Sequence, residues 1–169
     1  GEIMETHIKQ VIKRSGAIVP FNQERIANAI YRAAVAVGGR DKLTAQELSE
    51  QVVDMLNQKF PEGSAPHIED VQDIVEKVLI EHGHAKTAKE YIRFRENKKH
   101  QRQEKDSLGI KDDIGLSYNT LYILKMRYLK RDEKGTILET PKGMLQRVAK
   151  FLASVEKGKK REIWEKKFL

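Results

Sequence analysis

The spacing of apolar positions changes several times along the chain, and each change marks an element. Ile8, Gln10 and Ile12 fall on one face of an alternating strand, with Lys9, Val11 and Lys13 on the other. Ser15-Gly16 turns the chain, and a short apolar strand resumes from Ala17 to Phe21. Pro20 suits the edge or end of that strand because it cannot donate to a ladder. The period then lengthens. Ile26, Ala29, Ile30, Ala33, Ala34 and Val37 form a helical stripe that opens at Asn22, a good N-cap, and stops at Gly38-Gly39. A second helix runs through Leu48, Val52, Val53 and Leu56, with Thr44 as its expected cap and Glu47 reaching back to complete a capping box. Pro61 to Pro66 is a loop, and Ala65 to His67 is expected to add a short third strand. Ile68, Val71, Ile74, Val75, Val78 and Leu79 mark a third amphipathic helix, stopped by Gly83. A fourth is expected over Lys86 to Gln103, with Ala88, Tyr91, Ile92 and Phe94 inward and many cations outward.

Beyond it the pattern weakens. Gln101 to Asp113 is polar and charged and reads as a linker or frayed helix end. Ser117 caps an expected helix through Leu121, Leu124, Tyr128 and Leu129, and Asp132 to Gly135 is a turn. Thr140-Pro141 opens a further helix through Leu145, Val148, Leu152 and Val155. The run Glu156 to Arg161 is expected to interrupt it, before Ile163, Trp164 and Phe168 start another apolar face. Two or three short helices cannot bury Tyr128, Leu129, Trp164 and Phe168 by themselves, so this end reads as cut or as docked on a partner. The expected fold is α+β and mainly α: a four-helix bundle under a small three-stranded antiparallel β lid, followed by a short helical segment. The expected boundaries are a first domain over residues 1–103, a linker over 104–115 and a helical second part over 116–169.

Charge adds a partner class. The chain carries a formal net charge of +7 and a sequence pI of about 9.5, which favours an anion such as a nucleotide, a nucleic acid or an acidic protein. It has no cysteine, which excludes disulfides, thiolate metal sites and thiol chemistry within it. No apolar run approaches the roughly 20 residues of a membrane span, and the N-terminus has no signal-peptide core. A cytoplasmic protein is the simplest reading.

Lys13 and Arg14 sit immediately before the turn, and the following helix start at Asn22 offers free backbone N–H groups. Cations and a helix N-terminus together favour a phosphate. The plainer readings are a solvated strand end for the cations and a simple cap for Asn22. Adjacent strand residues also point to opposite faces, so both cations reach one phosphate only if the turn rotates the strand. Tyr91 and Phe94 at helical spacing read as core, and Lys98 as part of a solvated helix end. The basic runs Lys98 to Arg102 and Lys157 to Arg161 invite a nucleic-acid reading, but no helix-turn-helix, zinc finger or aromatic platform accompanies them. His67, His82 and His84 lack a second spaced pair and read as surface histidines rather than metal ligands. Gly38-Gly-Arg-Asp-Lys42 lacks the spacing and the hydroxyl of a phosphate-binding loop, so ATP hydrolysis is not expected.

Val11-Ile-Lys-Arg-Ser-Gly16, Val19-Pro-Phe-Asn-Gln-Glu-Arg-Ile26, Ala29-Ile30, Ile68-Glu-Asp-Val71 and Tyr91-Ile-Arg-Phe-Arg95 occur in order over residues 6–103. Together they resemble the ATP-cone, the N-terminal allosteric nucleotide-binding domain of ribonucleotide reductases. Leu116 to Lys130, Thr140 to Met144 and Arg147-Val-Ala149 resemble the start of the reductase large chain, most closely that of the adenosylcobalamin-dependent class II enzymes. The resemblance implies that ATP activates and dATP inhibits through a change of oligomeric state. It also implies nucleotide accompanied by Mg2+, and adenosylcobalamin only in the parent enzyme. Carried over by position, Lys13 and Arg14 would contact phosphates. Asn22, Arg25 and Ile26 would sit near the nucleotide at the first helix, Ile68 would line the base pocket, and Lys98 would approach phosphates from the last helix. Val19 and Pro66 depart from the family, whose members often carry polar residues there. The implied partners are adenine nucleotides, the remainder of the reductase chain and further copies in a nucleotide-dependent homo-oligomer. The family's catalytic residues lie outside these 169 positions. The alternatives are a basic nucleic-acid-binding or regulatory module that ignores free ATP, and a cone that serves only as an assembly platform.

Overall fold

The computed structural model describes the backbone of residues 5–167 and the side chains of residues 5–155. Among the described residues it is mainly helical, with six helices and one two-stranded antiparallel sheet. In chain order these are β1 (Gln10–Ile12), β2 (Ile18–Pro20), α1 (Gln23–Ala36), α2 (Lys42–Lys59), α3 (Ile68–Glu81), α4 (Ala85–Ser107), α5 (Tyr118–Arg127) and α6 (Pro141–Lys167). The chain divides after Asn97 into two compact units, and the span of α4 contributes residues to each.

In the first unit β1 pairs with β2 in the register Gln10 to Pro20, Val11 to Val19 and Ile12 to Ile18. The connecting turn is closed by Lys13 N donating to Ala17 O and Gly16 N to Lys13 O. Gly16 takes φ +84°, a left-handed conformation that a residue with a Cβ adopts only at a cost. The expected third antiparallel strand is not there. The segment before α3 meets β1 through one parallel bridge, Ile12 to His67, with Ile12 N donating to Pro66 O at 2.9 Å. Pro66 has no N–H to continue a ladder, so a single carbonyl contact is what this segment supplies.

Strand alternation also fails. Ile8 and Val11, three residues apart, are the buried pair, while Gln10 is exposed. A three-residue strand is too short to impose period two on what precedes it. Ile8 and Val11 join a core made with Ile26 and Ile30 of α1, Leu48, Val52 and Leu56 of α2, and Val71, Ile74, Val75, Val78 and Leu79 of α3. From α4 only Ala88 enters that core, with Tyr91 packed against it. Ile92 and Phe94 are exposed, contrary to their expected inward placement. The core is therefore built from three helices and the first turns of a fourth, rather than from four equal staves.

Caps set the helix starts. Asn22 caps α1 as expected, its side chain accepting from Glu24 N at 2.9 Å. The cap of α2 is Asp41, not Thr44. Its Oδ1 accepts from Leu43 N at 2.9 Å and Thr44 N at 3.2 Å, and its Oδ2 accepts from the Thr44 hydroxyl at 2.6 Å. The carboxylate answers more of the orphan donors than a threonine one turn later would, so the helix begins earlier. His67 precedes α3, and its N–H donates to Asp70 Oδ2 at 3.2 Å.

In the second unit Asp112 pairs with Lys105 at 3.0 Å and accepts from the backbone of Gly115 and Leu116, which turns the chain toward α5. Ser117 caps α5 through Thr120 N, and Thr140 Oγ1 accepts from Gly143 N at the start of α6. Leu108, Leu121, Leu129 and Pro141 are buried. Leu129 was expected to stay uncovered and does not; Tyr128 is exposed as expected. The basic run from Glu156 does not interrupt α6. Its lysines, arginine and glutamate are good helix formers, and the lone Gly158 costs only about 1 kcal/mol against them. Trp164 and Phe168 lie outside the described side chains.

Candidate functional site

The turn between β1 and β2 projects Lys13 and Arg14, both exposed. They differ in what they meet. Among the described residues Lys13 makes no side-chain hydrogen bond or ion pair. Arg14 is held against α3: its Nε lies 2.6 Å from Glu69 Oε1, and its Nη2 donates to Gln72 Oε1 at 3.0 Å. Glu69 in turn places its other oxygen, Oε2, 2.7 Å from Arg95 Nη2 on α4. Arg95 Nη1 reaches Asp73 at 2.6 Å and Glu76 at 2.7 Å. One guanidinium thus gathers three carboxylates from one face of α3, and the Glu69 carboxylate bridges it to the turn.

The electrostatics follow from this geometry. Burial works against the charge of Arg95, whose side chain is only 18% exposed, but the hydrogen bonds it donates to Glu69, Glu76 and Asp73 outweigh it and raise its pKa. The hydrogen bond from Arg95 holds the Glu69 carboxyl below its usual range, with Arg14 adding to the effect. Tyr91 lies one turn before Arg95 on α4, and burial pushes its phenol up to about 12.

The remaining expected residues separate into groups. Asn22 follows β2, and Phe21 N donates to Lys9 O, so the start of α1 lies beyond the open end of the ladder. The cationic turn closes the other end. Four residues, Ile18 to Phe21, separate Ala17 from Asn22, about 16 Å of chain at the rise of an extended strand, so the turn and the start of α1 lie at opposite ends of the ladder. Arg25 is exposed on α1, while Ile26 is buried in the core. Ile68 is partly buried against that core, next to Glu69 in the first turn of α3. Lys98 is exposed and belongs to the second unit. A cavity of about 200 Å3 in the first unit is lined by residues such as Ile30, Arg40, His84 and Thr87, and by none of the expected site residues.

Sequence reasoning missed Glu69, Gln72, Asp73, Glu76 and Arg95 as a group. Their signal was present: residues 69, 73 and 76 fall at helical i, i+4 and i+7 spacing, a carboxylate stripe flanking the apolar one. Its partner Arg95 lay on α4 among many other cations, and spacing alone did not say which of them would face the carboxylate stripe of α3.

Comparison with known proteins places both halves. Residues 9–100 match the ATP cone domain, and residues 114–169 match the ribonucleotide reductase all-alpha domain. The chain is similar to the vitamin B12-dependent ribonucleoside-diphosphate reductase of Thermoplasma acidophilum, 41% identical over 154 residues, covering 88% of this chain and 20% of that protein. It is 35% identical over 147 residues to the protein of the same description from Mycobacterium tuberculosis, covering 87% of this chain and 20% of the relative. It is 31% identical over 135 residues to the anaerobic ribonucleoside-triphosphate reductase of Salmonella typhimurium, covering 80% and 18%. The chain thus spans about one fifth of the length of these relatives.

Proposed function

The chain belongs to the ATP-cone family, with a ribonucleotide reductase all-alpha domain behind the cone, and on that premise we propose that it is the adenine-nucleotide sensor of a ribonucleotide reductase. The observation that carries the reading is the exposed pair Lys13 and Arg14 on a glycine-closed turn inside the matched cone. ATP or dATP binds with its triphosphate at that turn. The rest of the nucleotide extends along the hairpin toward Asn22 and Arg25, beside Ile26 and Ile68. Lys98 joins the phosphate contacts on resemblance alone. Mg2+ arrives on the phosphates. Adenosylcobalamin belongs to the catalytic part of the parent reductase and is not held by these residues.

The cone hydrolyses nothing. ATP and dATP act only by binding two arrangements with different affinity, because a ligand with equal affinity for both shifts nothing. ATP favours the active assembly and dATP an inhibited homo-oligomer, and the change passes toward the rest of the reductase chain through α4 and the segment that follows it.

The test is titration calorimetry of the chain with ATP and dATP. Lys13→Ala combined with Arg14→Ala abolishes heat of binding while the far-ultraviolet dichroism of the helices is unchanged. Both substitutions are at exposed positions outside the core, so loss of fold would not explain the result. Unaltered affinity in the double variant would remove the assignment. Salt-sensitive oligonucleotide binding with indifference to ATP would favour the basic nucleic-acid module instead.

A further inference from the structure

We infer that Glu69 competes with the nucleotide for Arg14 and thereby sets the affinity of the site. The inference rests on the reading of the β1–β2 turn as the phosphate contact. Arg14 presents one edge, Nε and Nη2, that forks onto a carboxylate or a phosphate equally well. In this structure both prongs of that edge are taken, Nε by Glu69 at 2.6 Å and Nη2 by Gln72 at 3.0 Å. A phosphate using the same edge must displace them.

Displacement is made possible by the second half of the contact. Glu69 uses only Oε1 on Arg14, and Oε2 stays on Arg95 at 2.7 Å. When Arg14 leaves, the carboxylate keeps a cationic partner and is not stranded. The exchange still has a cost. With Arg14 in place, three carboxylates share two guanidinium groups; without it, Glu69, Asp73 and Glu76 share Arg95 alone. Lys13, with no such partner among the described residues, is available throughout. The turn therefore holds one cation ready and one in reserve, and Glu69 governs release of the second.

The size of the effect follows from exposure. The Arg14 and Glu69 side chains are 34% and 49% exposed, so their pair is worth what a solvated ion pair is worth. Glu69→Gln keeps the shape and one acceptor while removing the charge, and should tighten ATP binding by about two- to fivefold. Asp73→Asn is the control. It removes an equal charge from the same Arg95 cluster but has no contact with Arg14, so its affinity should stay within about 1.5-fold of the parent at physiological salt, where exposed charges are screened.

Calorimetry of the 169-residue chain with MgATP reads all three proteins, with thermal unfolding as the check on fold. Arginine Nε–Hε resonances give a second readout. The Arg14 signal should move on Glu69→Gln without nucleotide, and on adding ATP to the parent. A parent chain that binds no ATP would remove the nucleotide reading itself. A parent that binds, with Glu69→Gln no tighter than Asp73→Asn, would overturn the competition alone. So would an Arg14 resonance indifferent to both the substitution and the nucleotide.

Discussion

Arg95 collects Glu69, Asp73 and Glu76 at 2.6 to 2.7 Å, so that one guanidinium carries three ion pairs. Its carboxylate partners are partly solvated, so the network is worth less than a buried one, but removing the guanidinium leaves three like charges facing one another. Arg95→Ala should therefore lower stability by about 1–2 kcal/mol at neutral pH, read by urea unfolding. The pH dependence has a definite sign. The folded-state pKa of Glu69 is depressed from 4.5, so its stabilisation is fully present above 4.5 and is lost as pH falls below that value through the folded pKa. The stability gap between parent and Arg95→Ala should close on acidification below 4.5. A gap that widened there would contradict the network's role. This stripe was legible in the sequence only as spacing, because a carboxylate face on a helix is by default a solvated one. The cap of α2 was misread for a related reason. Asp41 and Thr44 both fit the start of a helix, and local sequence does not say which of the two answers more backbone donors.

At the scale of elements, the helices were legible, and so were the places of β1, its turn and β2, but not which strand positions would be buried. Long apolar stripes at 3.6 spacing identified α1 and α3, because a helix of 14 residues repeats its pattern several times. β1 and β2 have three residues each, less than two periods of alternation, so the pattern could assign Ile8, Gln10 and Ile12 to one face without resistance. The core selects differently: Ile8 is 1% exposed, whereas Ile18, in the strand expected to be uniformly apolar, is 59% exposed. Ile8→Ala should cost about 2–5 kcal/mol as a large-to-small change in a packed core. Ile18→Ala should stay within about 0.5 kcal/mol of the parent. Denaturant midpoints at constant slope would check both, and equal losses would mean that the hairpin packs by its other face. The candidate site shares this limit. Lys13, Arg14 and Asn22 were visible as residue types beside a turn and a cap, but their separation to opposite ends of the ladder depends on a register that only the fold supplies.

For the whole molecule the two units differ in how they are held together. The first has a continuous core from Ile8 to Ala88. Among its described side chains the second buries Leu108, Leu121, Leu129 and Pro141, while Tyr122, Ile123, Met126, Leu145, Phe151 and Leu152 are exposed. The described part of that core is small, and a small core is marginal by itself, since the fraction of surface buried falls with size while the entropy cost per residue does not. The excess of apolar residues over what short helices can cover was legible from composition along the chain. Which of them would be covered was not, as Leu129 shows. Heating should therefore unfold the chain in two steps, the second unit first. Nucleotide should act on one step only, because the residues proposed to contact it, Lys98 apart, belong to the first unit. ATP at a hundredfold excess over its dissociation constant adds about 2.7 kcal/mol to whichever state binds it. For a domain near 100 residues that raises the midpoint by on the order of 10 °C. Calorimetric scans with and without ATP should show the upper transition moving by that amount while the lower one stays in place. A shift confined to the lower transition would put the binding surface in the second unit and remove the β1–β2 turn from the mechanism.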